Sequence, residues 1–529
     1  MSAPTTRRPG APEDRDLVGE LTDALERHAR HDRVALLDDE GPVTYRDLAR
    51  RVERAAAGLS ALGLPPGSTV GIAAEKGVPQ VVALLAAVRA GHCGCVLDPR
   101  LSASQAADPA AEFGISLLLA DPARLREPRT APDGPAPTAP EAGPAVTPLE
   151  AVLDGTEDPL DPLALPPCEP SAPALLLFTS GSTGAPKGIR LTRGNLLAHA
   201  RGVVAHTGLT PDDRLLHLMP LHHTNGVNNQ ILAPLLAGAS IALVARFRAA
   251  AVEDQIDHFQ PTILTGVPTM YLRMLPHLRP GSAHSPLRLL RCGSAPLTAA
   301  QHDQIETAFG VPLIQSYGLS EATCTTAMNP PHAPRRGTVG TVLAGQQVRI
   351  LDPSTGRDVP PGAEGEICIG GPTVMRGYEG DTGGDGPVRD GLLHTGDLGS
   401  LDADGYLSVT GRLKDVVIRG GENLSPYAIE TALTVHPQVR EAAVVGAPHH
   451  DLGEVPMAFV VPADPRLPPD AEALRTHVAG ALSRIHAPAR IEVVEALPVN
   501  GVGKVDKKTL RAQARHHGAG APPAVRESG

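Results

Sequence analysis

Leu175 to Gly188 reads LLLFTSGSTGAPKG, an apolar run that turns abruptly into glycines, hydroxyl side chains and one lysine. The apolar half has the pattern of a buried strand. In the other half, Gly181, Gly184 and Gly188 let backbone N–H groups come close to an anion. Thr179, Ser180, Ser182 and Thr183 add hydroxyl donors, and Lys187 brings a positive charge for the β and γ phosphates of a nucleotide. Ser/Gly/Thr runs are more often solvated loops, so the order of the residues has to carry the argument. That order is not the Walker pattern, because Lys187 follows Pro186 and precedes Gly188. The later NGVGKVDKKT fails the same test, with Val505 after its Gly-Lys pair. An ordinary P-loop NTPase is thereby disfavoured.

Outward from this strand and loop, apolar runs alternate with helical patterns. LTDALERHARH and VTYRDLARRVERAAAGLSALG have helical spacing, the second behind a Thr cap, and VPQVVALLAAVRAG is a third helix ending in Gly. TVGIAAE, HCGCVLDP, SIALVARF, TILTGVP, LRLLRCGSAPL and VPLIQSYG read as strands. Such alternation predicts an α/β fold with a mostly parallel sheet. VRILD, GEICIGG and GYLSVTG, between Gly345 and Gly411, predict a small β unit. The segments after Arg412 mix short strands and helices as a compact α+β domain does. Glu127 to Pro170 is rich in Pro, Ala, Gly and acidic residues and is expected to be a surface linker. The tail from His516 is expected to be disordered.

Composition narrows the function. At 529 residues the chain has room for a large domain and a smaller one. Its net charge of −11 comes without a basic stripe, which disfavours nucleic acid as a partner. Aromatic residues make up 2%, with no Trp, a bias from which no function follows. The six cysteines lack the spacing of a zinc site and read as reduced, buried thiols. No apolar run reaches the roughly 18 residues of a membrane span. A cytoplasmic enzyme is the expectation.

Thr179 to Gly188 matches [ST]-S-G-[ST]-T-G-x-P-K-G and so resembles the signature of the adenylate-forming superfamily: acyl-CoA synthetases, peptide-synthetase adenylation domains and luciferases. Further signatures of that superfamily follow in order. PLHHTNG, Pro220 to Gly226, puts His223 on a histidine that the resemblance places beside the acyl pocket and the ATP site. His222 stands where an aromatic residue is common. CGSAPL supplies Gly293, Ser294 and Ala295 as the small residues that leave room for adenine. YGLSEAT supplies Tyr317 and Gly318 near adenine, Ser320 for phosphate, in place of the commoner Thr, and Glu321 for Mg²⁺. HTGDLG places Asp397 on the ribose hydroxyls, and GRLKDVVIRGGENLSPYAIE contributes Arg412 as a second nucleotide contact and Lys414 as a hinge. PVNGVGKVDKK puts Lys504 on the catalytic lysine.

The resemblance implies a large N-terminal adenylate-forming domain, residues 17–411, of α/β subdomains plus a small β unit. It also implies a small mobile C-terminal α+β domain, residues 415–513, carrying the catalytic lysine, with 514–529 as a disordered tail. ATP and Mg²⁺ are the implied cofactors. The implied reaction activates a carboxylic acid as its acyl adenylate, with release of pyrophosphate. GGENLSP resembles the acyl-CoA ligase version of its segment, so coenzyme A is the expected acceptor. The phosphopantetheine of a carrier protein acting in trans, or an amine, are the alternatives. Relatives that take amino acids usually carry Phe-Asp where this chain has His223-Thr224, so the acid is expected not to be an α-amino acid. A luciferase-like monooxygenase and a nucleotide-binding regulatory module are the rival classes, distinguished by oxygen consumption with light emission and by absence of pyrophosphate exchange.

Overall fold

A computed structural model of the chain describes residues 16–98, 112–121, 144–155, 169–180, 186–279, 286–380, 386–499 and 505–518. The first sheet runs in the order Ala145–Pro148, Ile115–Ala120, Thr69–Ala73, Cys93–Val96, Pro173–Ser180, Pro186–Thr192. Its first five strands are parallel, and the last turns back as an antiparallel hairpin partner. Thr69–Ala73 and Cys93–Val96 are buried at every position, as parallel strands covered on both faces must be. Their cover includes the helices Tyr45–Ala61 and Val78–Arg89. The first of these starts at Thr44, whose side chain accepts from the Asp47 N–H. The cap contributes about 1 kcal/mol.

The expected linker needs correcting. Within Glu127–Pro170, residues Ala145–Pro148 form the edge strand of this sheet and Leu149–Leu153 a short helix that buries Leu149 and Val152. A Cβ at Gly58 would lie 2.7 Å from the Val152 carbonyl oxygen, so the glycine lets the two helices close up. The sequence AVTPLEAVL carries enough apolar side chains to dock there; its proline-rich neighbours at 122–143 and 156–168 lie outside the described residues.

The second sheet has 14 strands among the described residues. Its parallel half contains Ser240–Leu243, Arg214–His217, Ile263–Gly266, Leu289–Cys292 and Leu313–Tyr317. At Leu313–Tyr317 the pairing changes to antiparallel, through Ala327–Met328 and Gly340–Val342 to Tyr406–Arg412 and Leu392–Leu401. The strands expected as a small β unit make up this antiparallel half, joined to the parallel half through Leu313–Tyr317. The Arg193–Thr207 helix and a π-helix at Asn225–Leu232 cover one face of the parallel half.

Beyond Arg412 a third sheet pairs Val439–His449 with Gly453–Pro462 and adds Val417–Arg419, Glu422–Leu424 and Arg490–Val493. Helices Pro426–Val435 and Ala471–Ala481 cover it. The last helix, Lys507–Gly518, buries Leu510 and leaves Ala514 0% exposed, so ordered structure passes the point where a disordered tail was expected. Residues 519–529 lie outside the described part. No described helix is long and apolar enough to cross a membrane. The five described cysteines are buried and unpaired, and burial raises the Cys93 thiol to about 11.

Candidate active site

The hairpin Pro173–Ser180/Pro186–Thr192 pairs Thr179 with Lys187 and Ser180 with Pro186. Gly181, Ser182, Thr183 and Gly184 lie outside the described residues. Lys187 is described. Its Nζ sits 4.4 Å from the ring centroid of Tyr378, a cation–π contact. The Tyr378 hydroxyl donates to Glu321 Oε1 at 2.7 Å, so one aromatic side chain joins the loop lysine to the carboxylate expected to face a metal. Tyr378 is held in turn by the hairpin. The Glu379 N–H donates to the Gly188 carbonyl, and Arg190 donates through Nε and Nη2 to the two Glu379 carboxylate oxygens at 2.8 and 3.0 Å.

Glu321 lies on a single 3-10 turn, Ser320–Ala322, in a loop packed against its own return. A Cβ on Gly318 would stand 1.7 Å from the Cys324 carbonyl oxygen and 2.8 Å from Thr325 Cα, both backbone. Only glycine fits that approach. Ser320 Oγ lies 3.4 Å from Thr224 Oγ1, which brings YGLSEAT against PLHHTNG. His223 is half-buried, its ring centroid 4.4 Å from that of His222, and His222 Nε2 is 3.8 Å from Asp98 Oδ2.

A second cluster forms across the antiparallel half of the sheet. Asp397 and Arg412 are register partners, and Arg412 Nε contacts Asp397 Oδ1 at 2.7 Å. The Tyr317 hydroxyl donates to Asp397 Oδ2 at 2.8 Å. Burial first, and then the Asp397 charge, push the Tyr317 phenol well above its ordinary range. Each oxygen of a carboxylate accepts more than one hydrogen bond, so Asp397, 5% exposed, keeps acceptor capacity for a ligand. Its turn is braced by Glu366, which accepts from the Gly396 N–H at 3.0 Å and meets His394 Nδ1 at 2.9 Å. Gly293, Ser294 and Ala295 follow the Leu289–Cys292 strand. A Cβ on Gly293 would meet Ser316 Oγ at 2.5 Å, so this loop lies against the strand that ends in Tyr317. Lys414 is exposed on the 3-10 turn Leu413–Asp415, and Lys504 lies outside the described residues.

The chain matches the family model of AMP-binding enzymes over residues 23–379 and that of the AMP-binding enzyme C-terminal domain over 428–504. The chain belongs to the AMP-binding enzyme family. This AMP-binding enzyme is 36% identical over 476 residues to feruloyl-CoA synthase of Amycolatopsis sp, covering 89% of this chain and 93% of that protein. It is 36% identical over 497 residues to sulfoacetate–CoA ligase of Cupriavidus necator, with the same coverage. The ATP-bound crystal structure of MatB from Rhodopseudomonas palustris superposes with a TM-score of 0.84 at 31% identity, covering 95% of this chain and 99% of that one. The enzyme is thus an adenylate-forming ligase of the acyl-CoA synthetase type, as its ordered signatures implied.

Several side chains around this site have no place in the signatures. Tyr378 and Glu379 sit in RGYEG, a run whose only outward sign is an aromatic residue beside two charges. Glu366 stands at the start of an apolar strand, GEICIG. Lys76 is buried, with Nζ donating to the carbonyls of His217 at 2.8 Å and Met219 at 3.1 Å, so it holds the strand end that leads into PLHHTNG. Its signal was a cation directly after the fully buried strand Thr69–Ala73 and Ala74-Glu75.

Proposed function

We propose that this enzyme joins a carboxylic acid other than an α-amino acid to coenzyme A through an acyl adenylate, in the cytoplasm. The observation that carries the reading is the pair of linked clusters, Lys187–Tyr378–Glu321 and Tyr317–Asp397–Arg412. They offer charge for phosphates at one end and a carboxylate for ribose at the other. In this reading Thr179, Ser180, Gly181, Ser182, Thr183, Gly184 and Lys187 hold the β and γ phosphates, with Ser320 beside them. Gly293, Ser294, Ala295, Tyr317 and Gly318 enclose the adenine, and Asp397 with Arg412 fixes the ribose. His223 lines the approach of the acid.

Glu321 offers carboxylate oxygens, and Mg²⁺ takes oxygen ligands and keeps several waters, so one carboxylate beside nucleotide phosphates fits that ion. When bound, that ion would neutralise phosphate charge. An acid oxygen attacks the α phosphorus, the bond to the pyrophosphate oxygen breaks, and Lys504 bridges the incoming carboxylate and the α phosphate. A thiolate then attacks the acyl carbon and AMP leaves. The residues act by positioning and by preorganised charge. We divide the chain between a 17–411 domain and a 415–513 domain, with Lys414 as the hinge between the two half-reactions.

The test is pyrophosphate release across an acid panel, run separately with coenzyme A, a carrier protein and amines. Acid-dependent release with acyl-CoA formation is expected. Release with transfer only to the carrier or the amine would move the acceptor, and ATP binding without release would end the ligase reading. Lys504→Ala is expected to lower acid-dependent exchange by at least 100-fold, the scale of a lost preorganised donor. Near-normal exchange in that variant would take the catalytic role from Lys504.

A further inference from the structure

The parallel half of the large sheet presents one row of register partners near its C-terminal edge: Leu243, His217, Thr265, Arg291 and Ile314. Residues side by side in register share a face. The row behind it, Ile241, Leu215, Ile263 and Leu289, packs into the same core as Ala200 of the Arg193–Thr207 helix and Val227 and Ile231 of the π-helix. Three of the five residues in the front row are polar, and all three are buried.

Arg291 is 2% exposed, and its Nε, Nη1 and Nη2 have no hydrogen-bond partner among the described residues. Thr265 Oγ1 on the neighbouring strand, His217 Nδ1 one strand further, and His199 Nδ1 on the covering helix lack partners among the described residues too. Buried polar groups are rarely left so, and a buried cation without a counter-charge is costly. The groups coupled electrostatically to Arg291 are Cys324 and Tyr271, both neutral near pH 7, and His199 and His206, both pushed toward the neutral form by burial first and by Arg291 as well. No carboxylate is among them.

The place of this cation is informative. Arg291 directly precedes the Cys292–Ala295 segment. Cys324, which feels its charge, closes the loop that carries Ser320 and Glu321. Asn229 of the π-helix donates to Cys324 Sγ and Thr325 Oγ1. Arg291 thus stands on the strand that leads into the segment assigned above to adenine, within electrostatic reach of the Cys324 turn that closes the Glu321 loop and that the π-helix holds through Asn229. Ligands of open α/β sheets bind at the carboxyl ends of the strands, and π-helical turns concentrate at functional sites.

We propose that Arg291 is a specificity-determining residue that receives a second carboxylate at the far end of the acid, so that the enzyme prefers dicarboxylic acids to monocarboxylic acids of equal length. The proposal rests on the ligase reading for the first carboxylate, the one that is adenylated. A guanidinium fork matches a carboxylate with two parallel hydrogen bonds and supplies the charge that the buried site lacks an answer to. Thr265 adds a hydroxyl beside it.

The experiment uses the full chain with matched pairs: malonate and propionate, succinate and butyrate, glutarate and valerate, with 3-sulfopropionate as the arm for a different anion. Pyrophosphate release and melting temperature are both read. In the wild type, kcat/KM for the best diacid is expected to exceed that of its monoacid by at least 100-fold, because a site built for a polar group rejects the analogue that lacks it. Arg291→Met should bring that ratio to about one, and Arg291→Lys should restore part of it. The melting temperature of Arg291→Met without acid should equal or exceed the wild-type value, which shows that the variant folds. A sulfo-acid preferred over every dicarboxylate would overturn the carboxylate assignment. A monoacid used as well as its diacid, or an unchanged ratio in Arg291→Met, would overturn the proposal altogether. Should no acid release pyrophosphate, the ligase reading fails separately. In that case a diacid-specific rise in wild-type melting temperature that Arg291→Met lacks supports the anion site, and no such rise overturns it.

Discussion

Tyr378 joins a cation and an anion that lie far apart in sequence, and a single oxygen atom separates its two roles. Tyr378→Phe keeps the ring under Lys187 but removes the donor to Glu321. The expected result is about a tenfold loss of pyrophosphate exchange with a stability change of about 1 kcal/mol, read by exchange assay and denaturant titration. Lys76 makes a prediction of another kind. Burial lowers its pKa from 10.5 to about 7. Between those values the unfolded chain holds one more proton than the folded chain, so stability rises with pH from about 7 upward. The slope from this group reaches about 1.4 kcal/mol per pH unit. Below pH 7 the cost of burying the charge is fully present. Lys76→Met should lack that rise when denaturation is compared at pH 6.5 and 8.5, and parallel pH profiles would refute the assignment. The sequence announced Lys187, Glu321 and Asp397 because each stands in an ordered signature. Tyr378, Lys76 and Arg291 were illegible there. Their meaning comes from partners brought by tertiary packing, or from the lack of one.

At the level of elements, the strands and helices of the parallel sheets were readable from continuous apolar runs and capped helical periods, as at Thr44. The strand at Ala145–Pro148 was hidden, because four residues in a proline-rich stretch give too little period to register. The π-helix at Asn225–Leu232 was hidden as well, since polar residues such as Asn228, Asn229 and Gln230 are buried in it and hide its apolar pattern. Gly318 tests how tightly the Glu321 loop is built. Gly318→Ala would drive a methyl into the Cys324 carbonyl, and backbone on both sides leaves no side chain to yield. Destabilisation of about 3 kcal/mol and loss of exchange are expected, measured by thermal unfolding and by isotope exchange. A stable, active variant would show that the loop is looser than this geometry requires.

Across the whole molecule, the connection at Leu413–Asp415 joins the large sheet to the C-terminal unit. Two further ties meet there: Arg511 pairs with Asp415, and Ser425 Oγ donates to the Thr410 carbonyl at 2.9 Å. If Lys414 is the hinge, Lys414→Pro should spare acid-dependent pyrophosphate exchange and slow acyl-CoA formation by tenfold or more, because one conformational step serves only the second half-reaction. Equal loss of both activities would speak against it. The Tyr317–Asp397 hydrogen bond has an optical consequence. The chain has six tyrosines and no tryptophan, so nothing drains tyrosine emission by energy transfer. A phenol bonded to a carboxylate is quenched. In the proposed reading a ribose that competes for Asp397 releases Tyr317, so tyrosine emission is expected to rise on titration with nucleotide.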